Sequence, residues 1–107
     1  LEDIILLETK LANPRKQTFV LQFPVGEFDI VVFDPQEACC QIFEMKHSAT
    51  VDPSQYRHLI DPEKCAQTEH RYGPITNKCV LYRGENRTVQ GIQYRNIEEY
   101  LRELVIE

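Results

Sequence analysis

Apolar residues recur along this chain at two periods, and the switches between them mark out its elements. Over positions 1–12 (LEDIILLETKLA), Leu1, Ile4, Ile5, Leu7, Leu11 and Ala12 gather on one side at 100° per residue. That predicts an amphipathic helix ending before Asn13-Pro14. Glu8 falls near the middle of the same side, where a carboxylate needs a partner or a route to solvent. Positions 17–23 (QTFVLQF) and 27–33 (EFDIVVF) read as strands joined by a turn through Pro24 and Gly26. A third strand, 38–46 (ACCQIFEMK), follows the turn-like Asp34-Pro35-Gln36-Glu37. Connections this short imply a meander with many buried positions.

Beyond the meander the punctuation becomes helical. Asp52-Pro53 and Asp61-Pro62 each place an N-cap acid before a proline suited to the first helical position. The first predicts a short helix through Gln55, Tyr56 and Leu59; the second a helix running to about Tyr72 and stopped by Gly73-Pro74. Positions 76–82 (TNKCVLY) and 88–94 (TVQGIQY) are expected as strands on either side of Gly84-Glu85-Asn86. Asn96 can cap a final helix, with Glu99 completing a capping box and Ile97, Tyr100, Leu101, Leu104 and Val105 on one face. The order is helix, three strands, helices, two strands, helix. This is an α/β (α+β) pattern with about five strands in a mixed central sheet flanked by helices.

Three charged residues interrupt the apolar strands. Glu44 and Lys46 are two apart, so both point to one face between Ile42, Phe43 and Met45, and Asp29 breaks the preceding strand in the same way. Charge within a sheet is costly unless it is paired or binds a metal. Antiparallel pairing of these strands would set Asp29 beside Glu44, and two facing carboxylates repel unless a cation lies between them. Mg²⁺ or Mn²⁺ suits such a pair, because hard cations take one or two carboxylates and keep positions for water and phosphate oxygens. Lys46 would then stabilise charge developing on a phosphate, and Glu8 could supply a third carboxylate.

Composition narrows the possibilities. With 107 residues, 42 % apolar and 27 % charged, the chain suits one folded domain over positions 1–107. It has no apolar run long enough to cross a bilayer, so no membrane association is expected. It starts at Leu1 without a signal-peptide pattern, so it is expected to be a domain cut from a longer protein. Cys39, Cys40, Cys65 and Cys79 show no C-x-x-C spacing and read as reduced thiols of a cytoplasmic protein. His47, His58 and His70 share no ligand spacing and are expected at the surface. A net charge of −5 argues against coating nucleic acid by bulk electrostatics. Positions 57–95 nevertheless carry +3, through Arg57, Lys64, Arg71, Lys78, Arg83, Arg87 and Arg95.

Asp29, followed fifteen residues later by Glu44-Met45-Lys46 after a Glu-bearing helix, resembles the PD-(D/E)XK nuclease signature. More narrowly, GEFDIVVF, QIFEMKHS, QYRHLID, VLYRG and YRNIEEYL resemble the C-terminal nuclease-like domain of prokaryotic AAA+ family ATPases over about positions 1–105. The resemblance implies a restriction-endonuclease-like core and a magnesium-dependent nuclease or DNA-binding activity. In it, Asp29, Glu44 and Lys46 would be catalytic, and Asp29, Glu44 and Glu8 would hold the metal. Gln55 is similar to the glutamine that follows E-x-K in several branches, although position 59 is Leu59 where the RecB-like branch has tyrosine. Gln55, Arg57, Lys78 and Arg83 would contact nucleic acid. The ATPase domain would lie upstream in the parent chain, since no G-x-x-x-x-G-K-[ST] occurs here. The other reading open to this sequence is a nuclease-fold module that binds a partner without turnover.

Overall fold

Six strands form one mixed sheet in the order β1-β2-β3-β4-β6-β5, with helices on both faces. The computed structural model describes the backbone of residues 2–105 and the side chains of residues 2–104, so the roles expected for Leu1 and the Val105 side chain lie outside the described residues. Helix α1 (Glu2–Ala12) leads into β1 (Gln17–Gln22), β2 (Glu27–Asp34) and β3 (Cys39–Met45), which pair antiparallel as their short connections imply. A crossover through α2 (Pro62–Tyr72) returns the chain as β4 (Ile75–Tyr82), parallel to β3. Then come β5 (Arg87–Val89), β6 (Ile92–Asn96) and α3 (Ile97–Val105), with β6 inserted between β4 and β5 and parallel to β4.

Two apolar layers result. On one face Leu21, Phe28, Val31, Ile42, Val80, Tyr82 and Tyr94 pack beneath α2 and its approach, with Leu59 among them and Cys65 and Tyr72 at the margin. On the other, Ile30, Val32, Phe43, Met45, Cys79 and Leu81 pack beneath Ile5 of α1 and Ile97 and Tyr100 of α3. The four cysteines are free thiols, and Cys40 and Cys79 are buried. No described helix is long and apolar enough to cross a membrane.

Four local expectations give way. The single strand over 88–94 is a hairpin, because Gln90 (φ 54°) and Gly91 (φ 78°) both adopt the positive φ of a type I′ turn. The helix expected after Asp52 is one 3-10 turn, Pro53–Gln55. It carries the reciprocal capping box, Asp52 accepting from Ser54 N–H and Gln55 Oε1 accepting from Asp52 N–H. At α3, Asn96 does cap Glu98 and Glu99, but its own N–H donates to Asn86 Oδ1 rather than to Glu99. Finally, α1 is rotated from its expected face. Ile5 and Thr9 are buried, whereas Ile4, Leu7 and Leu11 are 55 %, 52 % and 64 % exposed. On the buried face Ile5 joins the apolar layer with Tyr100, and the Thr9 hydroxyl meets the Tyr100 hydroxyl at 2.8 Å, which leaves that buried pair satisfied.

Candidate functional site at the seam between β2 and β3

Strand β2 changes register just where its acid sits. Phe19 faces Val31 but Leu21 faces Phe28, so β2 carries an extra residue between them. Such a bulge bends a strand and re-aims its side chains. The ladder to β3 ends at Ile30↔Phe43, and Asp29 does not pair with a β3 residue. Its carboxylate fills the gap instead: Met45 N–H, two residues beyond Phe43, donates to Asp29 Oδ2 at 2.7 Å.

Glu44 lies alongside, 3 % exposed, and its Oε1 has no hydrogen-bond partner. Thr18 Oγ1 is the other buried side-chain oxygen left without a partner among the described residues, but it belongs to a neutral hydroxyl. Burial pushes the Glu44 carboxyl up to about 9, aided by a proton shared with Asp29 and by the Asp29 charge, while the Lys46 ammonium pulls the other way. Glu27 belongs to the same group. Its carboxyl is raised above the usual range, first by a hydrogen bond with Asp29, then by desolvation and the Asp29 charge. Asp29 and Glu44 are therefore brought together as the strand pattern anticipates, with Lys46 acting on Glu44 from two residues away. The Lys46 N–H donates to Leu81 O, which fixes that end of β3 against β4.

The remaining candidates are spread more widely. Glu8 is half-buried on α1, and it is not among the charges that act on Glu44. The α1 carboxylate that does reach this group is Glu2, through its effect on Glu27. Gln55 is 7 % exposed and turned inward: Oε1 accepts from Asp52 N–H and Tyr94 O–H, and Nε2 donates to Thr50 O. Lys78 lines a hollow with Ile60, Ile75 and Gln90, and Arg83 lines another with Asn96 and Glu98. Arg57 is exposed and lies in the segment between the 3-10 turn and α2.

Sequence reasoning missed two residues. Glu27 was legible in principle, two positions before Asp29 on one strand, but it reads as an ordinary turn-flanking acid. His58 gave no spacing signal, yet it is half-buried with its ring against Gly26, where an added Cβ would lie 2.6 Å from Cε1. Gly26 also has φ +87°, so this turn admits glycine on both conformational and steric grounds.

Among the described residues no group of three or more His, Cys, Asp or Glu side chains has the geometry to hold a metal ion. The oxygen donors nearest one another are the Asp29 and Glu44 carboxyl groups, with Glu27 acting on Asp29 from two residues earlier on β2. That suits a hard cation that keeps several waters rather than an all-protein cage. No family model, curated protein or solved structure matches the chain.

Proposed function

We propose that this chain is a metal-dependent nuclease-like domain that binds nucleic acid and hydrolyses its phosphodiesters. The observation that carries this reading is the buried Glu44 carboxyl, with an unpartnered Oε1, beside Asp29 and two residues from Lys46. An orphaned buried carboxyl oxygen calls for an explanation, and a divalent cation supplies one. Asp29 and Glu44 would hold Mg²⁺ or Mn²⁺, and Glu27, more than Glu8, is placed to orient a water on that ion. When bound, such an ion lowers the pKa of its water and offsets charge on the phosphate. Lys46 would face the same phosphate and stabilise the negative charge that develops there. Arg57 would add a backbone contact. The restriction-endonuclease-like core, the cytoplasmic setting and an upstream ATPase domain belong to the same proposal through the resemblance.

A second reading, an interaction module without turnover, is favoured by the lack of a three-residue metal group among the described residues and by the net charge of −5. Calorimetric titration of Mg²⁺ and Mn²⁺, with Asp29→Ala and Glu44→Ala alongside, separates the two. Saturable binding lost in both variants, followed by metal-dependent cleavage of DNA or RNA, supports the nuclease. Identical behaviour with metal and with chelator on every nucleic acid tested removes it and leaves the interaction module.

A further inference from the structure

Helix α1 carries apolar residues on two sides, and the rest of the fold covers one of them. Ile5 and Thr9 are buried, in the apolar layer and against Tyr100, whereas Ile4, Leu7 and Leu11 each stand more than half exposed. At 100° per residue these three fall within an arc of about 60°, on the opposite side of the helix from Ile5 and Thr9. Their spacing is that of heptad positions a, d and a, the seam along which a second helix packs. Asp3 and Lys10, both exposed, share one flank of this seam at position g, and half-buried Glu8 lies on the other flank at e. Among the described residues none of these three charges is paired within the chain. The outer side of α1 is therefore an apolar ridge with an acid in its first turn and a base in its last turn along one flank.

We propose that this ridge docks on a second copy of the chain, α1 lying antiparallel to its counterpart about a two-fold axis through Leu7. Leu7 then meets Leu7 of the other copy, and Ile4 meets Leu11. In an antiparallel pair the same flanks face each other, so Asp3 meets Lys10 of the other copy, and the symmetry makes that contact twice. One like-charge contact opposes them, Glu8 with its counterpart near the axis. A parallel pair would instead set Asp3 against Glu8 twice, gain neither opposite-charge contact and align the two helix dipoles side by side. The charges therefore select an antiparallel copy as the occupant. Helix α1 spans 11 residues, about 16 Å, so the contact is smaller than a standard interface and the dimer is weak. The inference stands apart from the nuclease-like reading and needs neither metal nor nucleic acid.

The test is sedimentation velocity from about 10 μM to about 1 mM at physiological salt, where the net charge of −5 is screened beyond about 8 Å. The weight-average mass is expected to climb from monomer towards dimer over that range. Leu7→Lys sets two ammonium groups on the axis and should weaken association at least about tenfold. Leu7 is exposed, so the fold tolerates the change, and thermal melts check it. Asp3→Lys and Lys10→Glu should each weaken association at least about threefold, because each turns both flank contacts into like-charge ones. An equimolar mixture of those two variants restores opposite charges at both contacts and should recover association close to that of wild type. A mixture that associates no better than either variant alone overturns the antiparallel pairing. So does tighter association in Asp3→Lys, the mark of a parallel pair. Association that Leu7→Lys leaves intact lies elsewhere on the molecule and overturns the ridge. A wild type that stays monomeric at every concentration removes the second copy and leaves the ridge to a partner of other sequence.

Discussion

The Asp29 carboxylate accepts the Met45 N–H at 2.7 Å, so a side chain closes the seam where the β2 and β3 backbones stop pairing. One group therefore serves both strand pairing and the acidic site. Asp29→Ala strips the acceptor from a backbone donor beside a buried acid, and is expected to lower stability by about 1–3 kcal/mol. Asp29→Asn keeps a carbonyl oxygen for Met45 and can donate to Glu44, so it should lose much less. Both variants should lose any Mn²⁺ response. Urea denaturation checks the first point, and equal destabilisation by the two substitutions would show that the acceptor is not what matters.

Glu44 makes stability depend on pH with a definite sign. Its folded-state pKa of about 9 lies above the unfolded value of about 4.3. Between them the folded chain holds a proton that the unfolded chain has released. The contribution is fully present below about pH 4.3 and is lost as pH rises towards 9, at about 1.4 kcal/mol per unit. That amounts to about 3 kcal/mol between pH 5 and pH 7. Glu44→Gln should remove this slope, so the stability difference between variant and wild type grows in the variant's favour from pH 5 to pH 8. Denaturation midpoints across that range decide it; parallel curves for the two proteins would mean that Glu44 is ionised in the folded chain.

What the sequence revealed and what it hid follow from the range of the interactions involved. The apolar runs bounded by turn residues placed β1, β2, β3 and β4 to within a residue or two, because the interior strands are buried on both faces along much of their length. Charges that break those runs pointed to Asp29, Glu44 and Lys46 for the same reason. The Gln90-Gly91 turn escaped notice, since glutamine at positive φ is not a usual hairpin signal. The buried side of α1 includes contacts with residues about 91 positions away, Thr9 with Tyr100 among them, which no local pattern encodes. His58 is likewise a product of tertiary packing, visible only once the β1–β2 turn is laid against it.

The Thr9–Tyr100 pair supplies a direct measure of what orients α1. Thr9 is 1 % exposed and Tyr100 5 %, so neither hydroxyl has easy recourse to water. Tyr100→Phe leaves the Thr9 hydroxyl unpartnered and should cost about 1–3 kcal/mol. Thr9→Val/Tyr100→Phe removes both polar groups and should recover most of that loss. A double-mutant cycle reads the coupling, and additive losses would mean that the hydroxyls do not depend on each other.

Gln55 separates a structural role from a nucleic-acid contact. Its amide joins the 3-10 turn to β6 through Asp52, Thr50 and Tyr94, and Tyr94 is fully buried. Gln55→Ala strands the Asp52 N–H, the Thr50 carbonyl and the Tyr94 hydroxyl together, a loss of about 2–3 kcal/mol. Gln55→Glu keeps the oxygen that Asp52 and Tyr94 use but loses the donor to Thr50, so its stability should fall between alanine and wild type. Neither change removes a positive charge from the protein. Oligonucleotide affinity measured well below the melting transition should therefore stay within about twofold of wild type. If Gln55→Ala instead kept its stability and lost the oligonucleotide, the amide would have to turn outward to the strand. The inward network would then be dispensable.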